Sequence, residues 1–475
     1  MDVLNRQFKD VVILGGGPSG LSAGHVLSES GSNVLVIERQ TRVGGLAKTI
    51  EHHGFRFDLG GHRFITGNKQ LETLVREILG GELLVVERSS KILLDGKFYD
   101  YPISVGNALS RLGLRMSIKI VADYLSEQIR KRFTKTPTIS LEDWVVRHFG
   151  RSLFDLFFKE YSEKVWGVPC DRIAMEWVAR RIKGLTLGVA IKAAFSRAES
   201  RRLRTLANQF LYPPLGIGQI CDSLKARIDK TGQVMTDTRV IGINHADNLV
   251  QSVTVKDAGD VQEYAGYEFI SSIPLTLIVQ LLNPQPPAEI LQAAASLRFR
   301  DLIVVTVMIN RERVTDQTWM YVPDPAVPFG RIHEPKNWSA RMAPDGKTHL
   351  VVEYFCFKED AIWTATDTML VQRTVHELTD LGIIEPEEVF DSAVLRIPNA
   401  YPLFEVDYIE KQKCIVEYLD RFSNLELVGR GGQFEYYNTD HAMESGIAAA
   451  NAIMARIDGS VAVQTPLLAA GWARP

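Results

Sequence analysis

The 475-residue chain is expected to be an α/β protein whose N-terminal unit is completed by segments far along the sequence. Three observations predict this. A strand, glycine loop, helix and second strand open the chain. Helical periods rich in Arg and Lys take over from about residue 105. Strand texture then returns near residue 233 and ends in a glycine turn followed by a helix of small residues. Length points the same way, because a single hydrophobic core stops growing at roughly 250–300 residues.

The elements follow in order. Asp10 to Leu14 is a short apolar run, Gly15 to Gly20 a tight loop, Leu21 to Ser30 an amphipathic helix, and Asn33 to Glu38 a strand closing on an acid. Together they make a βαβ unit. Residues 105–206 read as helices, broken at Pro137, where Thr138 or Ser140 can cap the next helix. Tyr212 to Gly216 is a loop, and residues 233–273 and 297–357 read as strands, the latter with alternating apolar positions. Two helix–loop units follow, then a final helix from about His441 to Ile457. The resulting division is a discontinuous first domain of residues 1–104, 207–275 and 396–475, a helical domain of 105–206, and an antiparallel sheet domain of 276–395.

Gly15-x-Gly17-x-x-Gly20 lies between a strand and a helix, the context a Rossmann-type dinucleotide fingerprint requires. Gly15 permits the turn, Gly17 lets backbone approach a pyrophosphate, and Gly20 permits close helix–strand packing. The helix N-terminus offers free N–H groups to phosphate, and Glu38 is placed to accept from ribose hydroxyls. Gly44 and Gly45 continue the glycine-lined path beyond the first unit, which favours FAD over NAD. Gly60, Gly61 and His62 give backbone and a ring that can lie against a flavin. Near the C-terminus Gly429 and Arg430 open a loop running through Tyr436, Asn438 and Thr439 into a helix whose N-terminus suits the pyrimidine edge of the flavin.

Composition sets bounds. A net charge of −3 argues against nucleic acid as a partner, and four scattered cysteines argue against both a metal site and a disulfide framework. With no signal-like apolar stretch and no run long enough to span a bilayer, a cytoplasmic location is expected. The basic stretch Arg111 to Lys135 reads as a solvated helix face in preference to a membrane-surface helix, so peripheral membrane contact is not expected.

The motifs GGLAKT, FDLGGH, KVWGVP and GRGGQFEYYNTDH, collinear from about Asp10 to Ile457, resemble those of UDP-galactopyranose mutases, within the wider protoporphyrinogen oxidase and amine oxidase-like flavoproteins. The resemblance implies a mutase that interconverts the pyranose and furanose forms of an NDP-hexose. In that family reduced FAD does so through a flavin N5–sugar adduct, with NAD(P)H as one external reductant. It implies that Arg331 grips the diphosphate and that Arg181 is a second arginine of the active site, with Arg430 near the flavin and His62 beside its ring system. Tyr101, Tyr321 and Tyr436 then line the phosphate and sugar pocket, Asn438 lies near the sugar, and Phe157 and Trp166 wall the uridine. Guanidinium groups suit phosphate because their planar fork binds oxygens bidentately and stays charged.

Three departures from the family bear on the substrate. Trp338 stands where a tyrosine is expected, Ser162 replaces an asparagine of the uridine helix, and the segment after Gly432 is shorter by two residues. Taken alone, Phe157 and Trp166 at helical spacing suit a core as well as a base platform. An FAD-dependent oxidoreductase of an amine, polyene or porphyrinogen is the alternative function, and a flavin-binding scaffold without turnover is a third.

Overall fold

The computed structural model describes residues 6–94, 97–100, 114–133, 137–176, 209–257 and 259–457. Strand β1 (Arg6–Leu14) lies in the middle of a first, eight-stranded sheet, parallel to both β2 (Val34–Ile37) and the long strand Asp260–Ser271. Val11 to Leu14 are wholly buried because helices cover both faces, so the sequence here is continuously apolar instead of alternating. Strands Thr238–Ala246, Leu249–Asp257 and Asp260–Ser271 form an antiparallel meander at one side, and Leu425–Leu427 pairs beside the last of them.

Helix α1 (Pro18–Glu29) packs so closely that side chains are excluded at two points. A Cβ on Gly20 would lie 2.0 Å from the Gly15 carbonyl oxygen, and one on Gly446 would lie 2.0 Å from that of Ser19. Gly446 belongs to the C-terminal helix Thr439–Ile457, which runs along α1. The small residues of that helix therefore serve backbone-to-backbone packing.

The second sheet has the order 389–402, 299–309, 348–356, 331–333, 319–321, 90–94, 97–100. Every residue of Thr348–Cys356 is buried, and Phe299–Ile309 is buried from Arg300 onward. The alternation expected here is absent because both faces are covered. Helix Asp367–Asp380 contributes Leu370 and Leu378 to one side, and Phe55 and Phe57 of the hairpin Thr49–Asp58 pack with Leu302, Val304 and Met308 on the other.

The hydrogen-bond ladders redraw the expected domain limits. Ser90–Leu94 and Lys97–Asp100 extend the second sheet through parallel pairing with Trp319–Tyr321, so they do not belong with residues 1–104. Val389–Pro402 runs unbroken along Phe299–Ile309, and a boundary at 396 would cut it. Leu282–Asn283 pairs with the first sheet, which therefore extends past residue 275. A helical layer includes Leu114–Phe133, Leu141–Phe149 and Glu160–Trp166, with a π-helical turn at Phe154–Lys159. Ser140 caps the second of these helices in a reciprocal box with Asp143, as its sequence suggests.

Asp58 fastens the hairpin to the first domain. Its buried carboxylate accepts from the Thr49 and Tyr212 hydroxyls at 2.6 Å each and from the Ile217 amide at 3.2 Å. Burial pushes its pKa up to about 7 against the pull of those hydrogen bonds. A carboxyl whose folded pKa is raised adds stability fully below its unfolded value of ~3.9 and loses it as pH rises through the folded value. The stability advantage of the wild type over Asp58→Asn, read from denaturation midpoints, should therefore shrink between about pH 4 and about pH 8. A gap that stays constant would mean that Asp58 is ionised throughout.

Candidate active site

A cavity of about 960 Å³ runs between the two sheets and under the helical layer. The β1–α1 loop lines one part of it. Gly17 is the residue before α1, with extended backbone (φ −82°, ψ −179°), and no protein atom lies within 4 Å of a Cβ built on it. Gly45, with φ +54°, sits beside it, the built Cβ being 3.4 Å from the Gly17 Cα. The first turn of α1 has no side-chain cap, leaving its N–H groups directed at this space. Glu38, just past β2 and 6% exposed, accepts from the amides of Gly16 (2.8 Å) and Gln40 (2.9 Å) while lining the cavity. Gly44, Gly60 and Gly429 all have positive φ, and a side chain on Gly429 would strike the Ser19 hydroxyl. Asn438 is exposed at the cavity lip, and Thr439 starts the C-terminal helix.

The second sheet supplies the charged wall. Arg331 lies 3.6 Å from Glu353, a fully buried acid that also accepts from the Gly61 amide at 3.1 Å. Burial raises the Glu353 pKa, and the Arg331 charge and the Gly61 N–H only partly counter it. The guanidinium sits against the rings of Phe355 (4.5 Å), Trp319 (5.4 Å) and Tyr401 (5.9 Å), and it donates to the Tyr401 hydroxyl at 3.3 Å. Its Nε, the His62 Nδ1 and the Trp319 Nε1 are buried without a hydrogen-bond partner. All three residues line the cavity, and the Arg331 Nε is turned to the Glu353 carboxylate. Burial, with the charges of Arg430 and Arg331, pushes the His62 pKa down to about 3. The ring is neutral at physiological pH.

Four other expected residues, Arg430, Trp166, Phe157 and Tyr321, also line the cavity. Arg430 turns its guanidinium to backbone, donating to the carbonyls of Tyr437 (2.7 Å from Nε) and Ala400 (3.3 Å), with the rings of Tyr401 and Tyr436 against it. Trp166 is 2% exposed and packs edge-on against Tyr401 and Phe404, so it is mainly a core residue with one edge on the cavity. Phe157 is half-buried beside Tyr99 and lines the cavity, as does Tyr321, whose ring meets Tyr161 at 5.4 Å. Trp338 lies beneath the site, bonded to the Thr318 carbonyl and stacked on His333 and Trp319. Arg181 and Tyr101 lie outside the described residues.

Glu353, Trp319 and Tyr401 were not anticipated. The one signal for Glu353 was a lone acid in the apolar run HLVVEYFC. Lys164 was also missed. Its ammonium donates to the carbonyls of Val322 and Val327 at 2.8 Å, Phe329 at 3.3 Å and Asp324, gathering the loop whose ends carry Tyr321 and Arg331.

The chain matches the family described as flavin containing amine oxidoreductase over residues 18–454. It belongs to that family. Membership makes it an enzyme of the FAD-dependent flavoprotein class, and the cavity fits that cofactor. Gly17 leaves room for a pyrophosphate, and Glu38, Gly45, Gly61 and His62 line the space that continues from it. Among curated relatives, the chloroplast protoporphyrinogen oxidase of Nicotiana tabacum is 21% identical over 431 residues, 84% of this chain and 77% of that protein. A probable UDP-galactopyranose mutase of Klebsiella pneumoniae is 25% identical over 165 residues, 34% of this chain and 41% of that protein. Among solved structures, a reduced UDP-galactopyranose mutase superposes with a TM-score of 0.78 at 21% identity, covering 97% of this chain and 98% of its own. That likeness establishes the shared fold.

Gly17→Val should fold normally, since the protein leaves its Cβ free, yet purify with at least tenfold less flavin by absorbance. Gly20→Val should fail to fold, its Cβ driven into the Gly15 carbonyl. Equal flavin content in wild type and Gly17→Val would place the pyrophosphate elsewhere.

Proposed function

We propose that the protein is an NDP-hexose mutase interconverting pyranose and furanose rings with reduced FAD, the substrate's diphosphate held by Arg331. The observation carrying this reading is the Arg331 guanidinium, 13% exposed, which lines the cavity while Glu353 meets its Nε from the protein side. One carboxylate on one side leaves a cation in this poorly hydrated setting suited to a second anionic partner on the cavity side. Tyr321, Tyr401 and Tyr436 line the same cavity with hydroxyl groups suited to phosphate or sugar oxygens.

Reduced FAD, when bound, supplies a nucleophile for the anomeric carbon as the nucleoside diphosphate departs. The chain's own part is positional. Arg331 holds the diphosphate before, during and after its departure, so the leaving group stays available for return. Glu353 anchors Arg331 from behind and keeps the fork in one orientation. Neutral His62 offers a hydrogen bond without placing a second positive charge next to the substrate. The helical layer closes over the site and excludes water that would otherwise trap the opened sugar.

A second reading, an oxidoreductase acting on a largely apolar substrate bearing a carboxylate, draws support from Leu141, Phe149, Leu153 and Phe158, which give part of the cavity an apolar wall. In that case Arg331 would hold the carboxylate.

The two readings separate under anaerobic dithionite reduction with a panel of NDP-hexoses. A furanose product formed by reduced protein and not by oxidised protein is the expected result. Arg331→Ala should lower kcat/KM by roughly 2–5 kcal/mol of transition-state binding while retaining flavin, and Arg331→Lys should recover little of it. No conversion of any sugar nucleotide, together with flavin reduction by a porphyrinogen or polyene, would transfer the assignment to the second reading.

A further inference from the structure

The helix Leu114–Phe133 is buried along one side only. Ile120 is 2% exposed, Asp123 accepts from the Ser152 amide at 3.2 Å, the Gln128 side chain donates to the Arg147 carbonyl, and the backbone of Tyr124 lies against Gly150. At 100° per residue the side directly across from this packed face carries Ile118, Val121, Leu125, Ile129 and Phe133. These are the residues left in water: Ile118, Leu125 and Ile129 are 53–60% exposed and Phe133 is 84% exposed. Scattered exposed apolar residues are ordinary, but a stripe four turns long along one helix is not.

Charge identifies what covers it. Arg115, Lys119, Arg130 and Arg132 are exposed on the same helix, within the stripe or on the flank it shares with the packed side. Both acids of the helix are engaged, Asp123 with Ser152 and Glu127 with Arg130 at 3.3 Å. The imbalance extends beyond the helix. Residues 105–206 hold 20 Lys and Arg against 10 Asp and Glu, in a chain whose net charge is −3. This segment is thus strongly basic and the remainder strongly acidic. A second copy of the chain would bring like charges together at the stripe. An anionic lipid surface offers both halves of the match, acyl chains for the stripe and headgroups for its borders.

We infer that Leu114–Phe133 seats the protein on the surface of an anionic bilayer, lying in the plane of the headgroups. No helix among the described residues is long and apolar enough to cross a membrane, so the attachment is peripheral. The proposal departs from the expectation of a solvated polar face, because the apolar side of the helix is the one left outside. The docked helix is also part of the active-site wall: Ile120 and Val121 both line the cavity. A bilayer under this helix therefore lies next to the cavity, whichever reaction takes place there.

Flavin-loaded protein would be sedimented with vesicles of phosphatidylglycerol and phosphatidylcholine in equal parts, and with phosphatidylcholine alone. Expected is binding to the first, at least tenfold weaker binding to the second, and loss of binding at high salt. The double substitution Leu125→Glu and Ile129→Glu, at exposed sites away from the cavity lining, should cut binding tenfold or more with an unchanged circular dichroism spectrum and flavin content. Arg130→Glu with Arg132→Glu should weaken it on anionic vesicles. No binding to anionic vesicles overturns the inference, as does binding that the double variant leaves intact. Self-association abolished by the double variant, without vesicle binding, would give the stripe to a second copy and equally overturn it.

Discussion

One buried carboxylate joins the two halves of this molecule. Glu353 lies in the fully enclosed strand Thr348–Cys356, yet it touches the Gly60-Gly61 loop of the nucleotide-binding half and Arg331 of its own sheet. A charge so deeply enclosed is tolerable only while its partners are in place, and removing one partner costs far more than removing both. The Gly61 amide, the Arg331 fork and the carboxylate are thereby fixed as a group. That fixes the spacing between the loop carrying His62 and the strand carrying Arg331.

The consequence is electrostatic as much as geometric. Arg331 and Arg430 both lie near His62 and both line the cavity, Arg331 held by Glu353 and Tyr401 and Arg430 by the carbonyls of Tyr437 and Ala400. The positive field at the cavity therefore comes from two cations, each fixed in place by the protein.

The cofactor cradle was legible because each glycine answers a local requirement. The turn at Gly15, the open space at Gly17 and the helix–strand contact at Gly20 all lie within six residues. Arg331 and His62 were legible through the resemblance of their flanking motifs. What escaped was non-local. Nothing near Ser90 announces that its strand pairs with residue 319, and nothing near Arg430 announces that its guanidinium also meets the Ala400 carbonyl. Trp166 illustrates the remaining ambiguity: helical spacing suits both a core and a platform, and burial against Tyr401 and Phe404 favours the core. The second sheet misled for a related reason, since alternation presumes one wet face and its strands Phe299–Ile309 and Thr348–Cys356 have none.

Lys164 gives the site a property that none of its neighbours confers. An ammonium surrounded by four backbone carbonyls is, in coordination terms, a monovalent cation bound by a peptide loop, except that it is tethered to the helix Glu160–Trp166. Many loops of this kind borrow potassium or sodium from the medium and loosen when it is exchanged. This one carries its own ion. The positions of Tyr321 and Arg331 at its two ends are therefore independent of which salts surround the protein, and depend instead on the ammonium remaining unmodified.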